Sequence, residues 1–556
     1  MNPINIYCEN NGVTKAYLPG VSLLEVARDQ QVALPSPALA ALANHQLKEL
    51  RYELFAPHSV QFIAYAHPDG QRCYQRSLTF LLQKAVRDVL PAYALSVQHS
   101  VASGFYCELE GSDDLSLSMV GALARRMTAL AEADLPFEKA KIPTPEAIAL
   151  FLQHGHVEKA RLQQTRGKLY TSVYYLDGYA DHFYGPLVPS TGYLRCFGLV
   201  PYYRGMLLMF PKADQPDALL GIAPQQKMFD IFREHKRWVD ILQAGTVGKI
   251  NELVQQGRGG ELIKVSEALH ENKYAHLAAE VASRSGEVKL VLIAGPSSSG
   301  KTTTSKRLAV QLMVAGLTPR VVEMDSYFVN REQSPRDEQG ELDFESIHAV
   351  DLALFNDHLG RLLRGERVLL PKFNFDSGQR YYDNTYMALG EKDILVVEGI
   401  HALNPQLTEA IPLRHKLRIY ASALTFISFD ANNRIATTDN RLVRRLVRDA
   451  ATRGATAAAT LHRWASVRRG EDRNIFPFQE NADVMFNSSL LYEISVLRRY
   501  AEPLLHRVPP SDEAYADASR LLKLLSCFEP ISPDDERSIP PTSVLREFIG
   551  GSSFTY

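Results

Sequence analysis

The sequence predicts a multidomain protein of mixed α/β and α+β class, with a β-grasp module at the start and a parallel sheet flanked by helices toward the end. Three observations lead there. At 556 residues the chain is too long for one hydrophobic core. The opening stretch "INIYCENNGVTKAYLPGVSLLEVARDQ" (4–30) reads as strand, turn, strand and helix. Far downstream, an apolar run at 288–294 enters a glycine- and serine-rich bend at 295–302, and a helical pattern leaves it.

Along the chain, these patterns divide into a β-grasp module (1–65), a second α+β module (66–222), a helical connector (223–286), the α/β module (287–508) and a tail (509–556). Connector residues 223–285 carry apolar side chains at helical spacing, so they should dock beside the α/β module. The tail holds one helical pattern, "EAYADASRLLKLLSCF", then a proline-rich break and an aromatic end. Its sequence leaves two placements open, back on the body or on a second copy in a homo-oligomer.

Composition excludes several classes. A net charge of −2 gives no general pull toward RNA or DNA. No apolar run approaches the ~18–20 residues of a membrane span. The N-terminal residues lack the basic start and apolar stretch of a secretory signal. The cysteines (Cys8, Cys73, Cys107, Cys196, Cys527) are widely spaced, which fits a reducing, cytoplasmic setting better than a disulfide framework.

The bend Gly295-Pro-Ser-Ser-Ser-Gly300-Lys301-Thr302 matches G-x4-G-K-[ST]. Its glycines let successive N–H groups point inward at phosphate oxygens, and the helix opening at Lys301 adds its positive end. Gly295, Ser297, Ser298, Ser299, Gly300, Lys301, Thr302 and Thr303 are therefore expected around a nucleotide. Lys301 would reach the β- and γ-phosphates, and the Thr302 hydroxyl would ligate Mg2+. Two later apolar strands end in acids, Asp325 and Glu398, at the strand ends where such sheets place chemistry. Nine arginines fall between 441 and 473. Arg441, Arg445 and Arg448 share a helix face, so a helical hairpin bearing them, with Arg453, could close over the site and neutralise a transferred phosphoryl group.

The ordered blocks "GPSSSGKTT", "MDSYF", "DFESIHAVD", "LPKFNFDSGQR", "VVEGIHALN" and "RRLVRDAATRG" resemble the uridine kinase and phosphoribulokinase family of P-loop kinases, over about 290–500. The resemblance implies ATP and Mg2+ as cofactors, Asp325 as the base toward an acceptor hydroxyl, and Thr302 and Glu398 as metal ligands. It implies Lys301, Arg445 and Arg448 as catalytic, with Arg453 on the ATP phosphates. The acceptor pocket departs from the family. Glu345 stands where uridine–cytidine kinases have a ribose-gripping aspartate, Phe373 replaces a tyrosine and Gly378 a histidine, while Arg380 is kept. The arginine expected after the hairpin glycine is Ala455, and a glutamine further on is Arg463. The expected acceptor is a small-molecule hydroxyl, with a nucleoside 5′-hydroxyl first. A sugar phosphate or other alcohol held by Arg380 and Arg463 is the alternative, and an RNA-associated regulatory ATPase is a third.

Residues 4–65 resemble a TGS domain. Residues 67–205 resemble the editing-type domain of threonyl-tRNA synthetase, through "HPDGQRCYQRSLTFLLQKAVRDVLP", "SGFYCEL" and "DHFYGPLVPSTGYLRCFGLV". That domain's two histidines fall here on Arg76 and Phe80, and its Cys-x3-His on Phe183 and Leu187. None of these is a zinc ligand, so the cleft is expected to be filled or repurposed and not a deacylase site. His67 and His182 are expected to cap turns or pack. The whole order of modules resembles a group of bacterial fusion proteins that carry a nucleoside kinase.

Overall fold

The computed structural model describes residues 2–101, 104–111, 115–222, 225–336, 340, 342–374 and 377–556. Ser103 of the second module, Phe375 of the fourth block and connector residues 223 and 224 lie outside the described residues.

The chain starts with β1 (Ile4–Cys8), whose alternating pattern turns Ile4, Ile6 and Cys8 inward. With β2 (Val13–Tyr17), β3 (Ala40–Ala43), β4 (Gln46–Lys48) and β5 (His58–Ile63) it forms a sheet ordered β2-β1-β5-β3-β4, in which β1 and β5 run parallel. Helix α1 (Leu23–Asp29) crosses it, started by a Ser22–Glu25 capping box.

The second unit begins at α2 (Pro68–Val89), capped by the His67 ring, which accepts from the Asp69 amide at 3.1 Å. Strands β6 (Ala94–Val101) and β7 (Gly104–Glu110), helix α3 (Leu117–Glu132), β8 (Glu138–Pro143), α4 (Thr144–Gln153), α5 (Val157–Thr165), β9 (Tyr170–Leu176), β10 (Tyr179–Asp181), β11 (Gly198–Tyr202) and β12 (Gly205–Met209) follow. They make a four-stranded sheet β11-β12-β7-β6 and a three-stranded sheet β8-β9-β10. At the positions that interrupt the zinc pattern, Phe80 lies 5.1 Å from Phe183 and stacks on Phe137 at 5.7 Å, and Leu187 is buried in the same cluster. Arg76 donates to the Pro186 carbonyl. These side chains pack together where a filled or repurposed cleft was expected, and Phe183 also lines an open pocket. His182 packs, its Nδ1 2.7 Å from the Ser172 carbonyl oxygen.

The connector is α6 (Gln226–Leu242), α7 (Val247–Gln255) and α8 (Gly259–Ser283). Next come β13 (Leu290–Ala294), α9 (Lys301–Val314), β14 (Thr318–Glu323), α10 (Leu352–Leu363), the hairpin β15 (Lys372–Asn374) and β16 (Gln379–Tyr381), β17 (Asp393–Glu398), β18 (Lys416–Ser422), α11 (Thr437–Arg453), α12 (Ala457–Asn474), β19 (Val484–Asn487) and α13 (Glu493–Leu505). The central sheet is β14-β17-β13-β18-β19, parallel throughout. Its strands are apolar on both faces because both are covered. Leu290, Leu292, Leu395 and Val397 look into one core, and Val291, Ile293, Val396 and Ile419 into the other. Tyr274, Leu277 and Val281 of α8 close the second core beside Leu308 of α9, so the connector is a layer of this domain.

The tail folds back on the body. Helices α14 (Tyr515–Leu525), α15 (Pro533–Glu536) and α16 (Arg546–Ile549) place Leu521, Leu525, Val544 and Phe548 in one core with Leu442 and Leu446 of α11 and Leu497 of α13. The two halves meet at 428–434: Asn432 donates to the Leu95 carbonyl at 2.7 Å and Asn433 to the His182 carbonyl at 3.1 Å. All five cysteines are free. Among the described residues no helix is long and apolar enough to cross a membrane.

Deleting residues 511–556 should uncover this shared core and abolish cooperative thermal unfolding, read by calorimetry. A soluble truncated chain with an unchanged melting temperature would show the tail to be an appendage.

Candidate active site

The bend after β13 is shaped by close backbone approach. A Cβ on Gly295 would sit 1.9 Å from the Ala421 carbonyl oxygen of β18, so only glycine lets the two strands meet there. Gly300 has φ +78, and a Cβ on it would meet Val544 of the tail at 2.3 Å. The amides of Ser298, Gly300, Lys301 and Thr302 have no acceptor among the described residues and lie at the start of α9. That is a set of donors suited to an anion. The Ser297 amide is committed: it donates to Glu471 Oε1 at 3.0 Å. Ser298 and Ser299 are buried, and their hydroxyls lack partners.

Beneath the loop lie two arginines from α11. Arg441 donates to the Ser297 carbonyl at 3.0 Å and pairs with Glu471 of α12. Arg444 reaches the Ser298 and Ser488 carbonyls, at 3.4 and 2.8 Å, and pairs with Glu493 of α13. Both guanidiniums and both carboxylates are at most 1% exposed. The sequence reading put Arg441 on a closing face and overlooked Glu471 and Glu493. In the structure, Arg441 and Arg444 pin the first half of α11 to the loop.

Arg445, the next residue, also holds the loop, donating to the Ser297 hydroxyl at 2.9 Å, and Arg445, Arg448 and Arg453 all pair with Asp449, at 3.2, 3.3 and 3.2 Å. Three guanidiniums on one carboxylate leave net positive charge beside the loop. Arg463 is exposed on α12, and its charge acts on Arg453.

Lys301 is the common electrostatic neighbour of three acids. Asp325 follows β14, Glu398 ends β17, and Glu345 lies against Gly470 of α12, and the Lys301 charge acts on all three. The Asp325 side chain is exposed to water, yet the protein packed around it pushes its carboxyl above the usual range, with Lys301 and Arg453 opposing. Burial pushes Glu345 up to about 7, with Glu471 adding to it and Arg445 opposing. Burial also raises Glu398 to about 7; Lys301 opposes this, and Asp325 and Glu323 reinforce it. The Thr302 hydroxyl donates to Glu398 Oε1 at 2.9 Å.

Other expected residues stand differently. Thr303 is fully buried; its hydroxyl donates to Glu547 Oε2 at 2.6 Å and lies 2.9 Å from the Tyr556 hydroxyl, so the tail holds this side chain. Arg380 is paired with Asp351 at 2.9 Å, the same carboxylate that caps α10. Phe373 lies edge-on to Phe328 at 5.6 Å. Gly378, with φ +69, could not be the family's histidine here: a Cβ would meet the Arg331 side chain at 2.6 Å.

Residues 290–495 match the model of the Phosphoribulokinase / Uridine kinase family. The N-terminal half matches threonine–tRNA ligases. That of Carboxydothermus hydrogenoformans is 27% identical over 207 residues, which is 36% of this chain and 32% of the ligase. That of Halorhodospira halophila is 30% identical over 200 residues, 35% of this chain and 31% of the ligase. The chain thus spans about a third of the length of the curated relatives it matches. Among solved structures, D-glycerate 3-kinase from Cryptococcus neoformans is 13% identical, covering 39% of this chain and 92% of its own, with a TM-score of 0.28.

The raised Glu398 carboxyl has a stability consequence. Its folded pKa, about 7, lies above the ordinary 4.5, so the folded state holds an extra proton between those values. Stability therefore falls as pH rises from 4.5 to 7, and the penalty persists above. Glu398→Gln should raise the melting temperature at pH 8 and change it little at pH 4.5. An equal shift at both pH values would contradict this electrostatic account.

Proposed function

We propose that this chain is an ATP- and Mg2+-dependent kinase that transfers a phosphoryl group to a hydroxyl of a small molecule, with a nucleoside 5′-hydroxyl as the acceptor. The observation that carries the reading is Lys301 and the free amides at the start of α9, facing acids from the ends of β14 and β17. Phosphoryl transfer needs positioning and charge stabilisation more than covalent chemistry from the protein. Lys301 and the amides hold the phosphates. Asp325, accessible and with a raised pKa, accepts the hydroxyl proton. Arg445, Arg448 and Arg453 spread the charge of the transferred group and help exclude water.

Thr302 and Glu398 suit Mg2+, which takes one or two protein oxygens and completes its shell with water and phosphate. Among the described residues no group of three or more His, Cys, Asp or Glu offers a cage of its own. A bound ion would supply positive charge against the phosphates, with Thr302 and Glu398 holding it.

On the acceptor side, Glu345 can accept from a sugar hydroxyl, and the Phe328–Phe373 pair offers an apolar edge for a base. Arg380 is held by Asp351 and Arg463 projects into solvent, which weighs against a second phosphate on the acceptor.

Asp325→Asn should lower phosphoryl transfer about 10²–10⁴-fold while ATP affinity stays within a few-fold. Turnover is read as product mass across a panel of nucleosides, sugars and sugar phosphates. Unaltered turnover removes Asp325 from the chemistry, and a product seen only with sugar phosphates replaces the nucleoside.

A further inference from the structure

A second pocket lies far along the chain from the loop, where the N-terminal sheet, the second unit and tail helix α14 meet. Its volume is about 290 Å³, near the lower end for small-molecule sites. Five cations line it: Lys48 from β4, Lys139 from β8, Arg166 and Lys168 after α5, and Lys523 from α14. Glu49 is the one acid in the lining, and it is used, accepting from Lys139 at 2.8 Å and the Tyr174 hydroxyl at 2.9 Å. Among the described residues, Lys48, Arg166, Lys168 and Lys523 have no carboxylate at ion-pair distance. Like charges gathered this closely repel one another unless an anion joins them.

The polar groups of the lining add a second observation. Gln163 and His182, 2% and 6% exposed, present a donor (Gln163 Nε2) and a ring nitrogen (His182 Nε2) without partners, and Arg166 Nε is likewise unpartnered. His182 Nδ1 is occupied at the Ser172 carbonyl, which leaves Nε2 as an acceptor. Burial holds this imidazole neutral, its pKa down to about 3.

We propose that this pocket binds a small phosphomonoester that also carries a hydroxyl group. A phosphomonoester has a charge of about −1.5 to −2 near pH 7, which answers the unpaired cations. Gln163 and Arg166 donate to it, and its hydroxyl donates to His182 Nε2. The confined volume and the chain's net charge of −2 fit a small anion better than a nucleic acid. The site stands independently of the proposed kinase reading.

The probe is ribose 5-phosphate, titrated calorimetrically into the full chain carrying Lys301→Ala, which silences the phosphate loop. Saturable one-to-one binding is expected, with none for ribose. Arg166→Gln with Lys523→Gln should weaken it at least tenfold. Lys168→Gln, a change at an exposed residue, should weaken it several-fold at an unchanged melting temperature. Absence of saturable binding, or binding that Lys168→Gln and the double variant both leave intact, overturns the proposal.

Discussion

The structure depends on two ion pairs with no access to water. Arg441–Glu471 and Arg444–Glu493 sit directly under the phosphate loop and hold its carbonyls by hydrogen bonds. A buried pair is a poor source of net stability, yet removing one partner strands a charge at a cost of about 3–5 kcal/mol. The pairs thus act mainly as a constraint on shape. They tie α11, α12 and α13 to one short bend and leave its amides facing outward.

The rest of the molecule is organised around that bend. The connector covers one face of the central sheet through Tyr274, Leu277 and Val281. The tail covers the other side of the loop helix, with Val544 against Gly300 and Glu547 on Thr303. The acids beside Lys301 carry the opposite tendency. Glu345 and Glu398 are held near pKa 7 by burial and by each other's neighbours, a local destabilisation of the kind that clusters where chemistry is done.

The N-terminal half packs carbon and a guanidinium where the resemblance would place metal ligands. Phe80, Phe183 and Leu187 fill the space with carbon, and Arg76 closes onto a backbone carbonyl. Cations from three segments then gather around the neighbouring pocket, including one from the tail. The same tail therefore contributes to both the loop and this pocket.

Local pattern was enough to read the β-grasp start, the parallel sheet, the phosphate bend and the acids at the strand ends. Each depends on neighbours in sequence: alternation in β1, apolar runs in β13 and β17, and glycines at fixed spacing. That these positions hold no zinc ligand was also legible, because Phe80 and Phe183 cannot bind zinc wherever they lie. Contacts between distant segments could not be read this way. Glu471 and Glu493 look like ordinary helix charges until folding sets them under Ser297 and Ser298, and nothing local tells that the Thr303 hydroxyl will meet residue 547, 244 positions away. The sequence by itself determined which elements form and which chemistry they carry, since that is local backbone and side-chain physics. Only the tertiary structure decided which charges share a buried volume, because that depends on distances between segments that no spacing rule encodes.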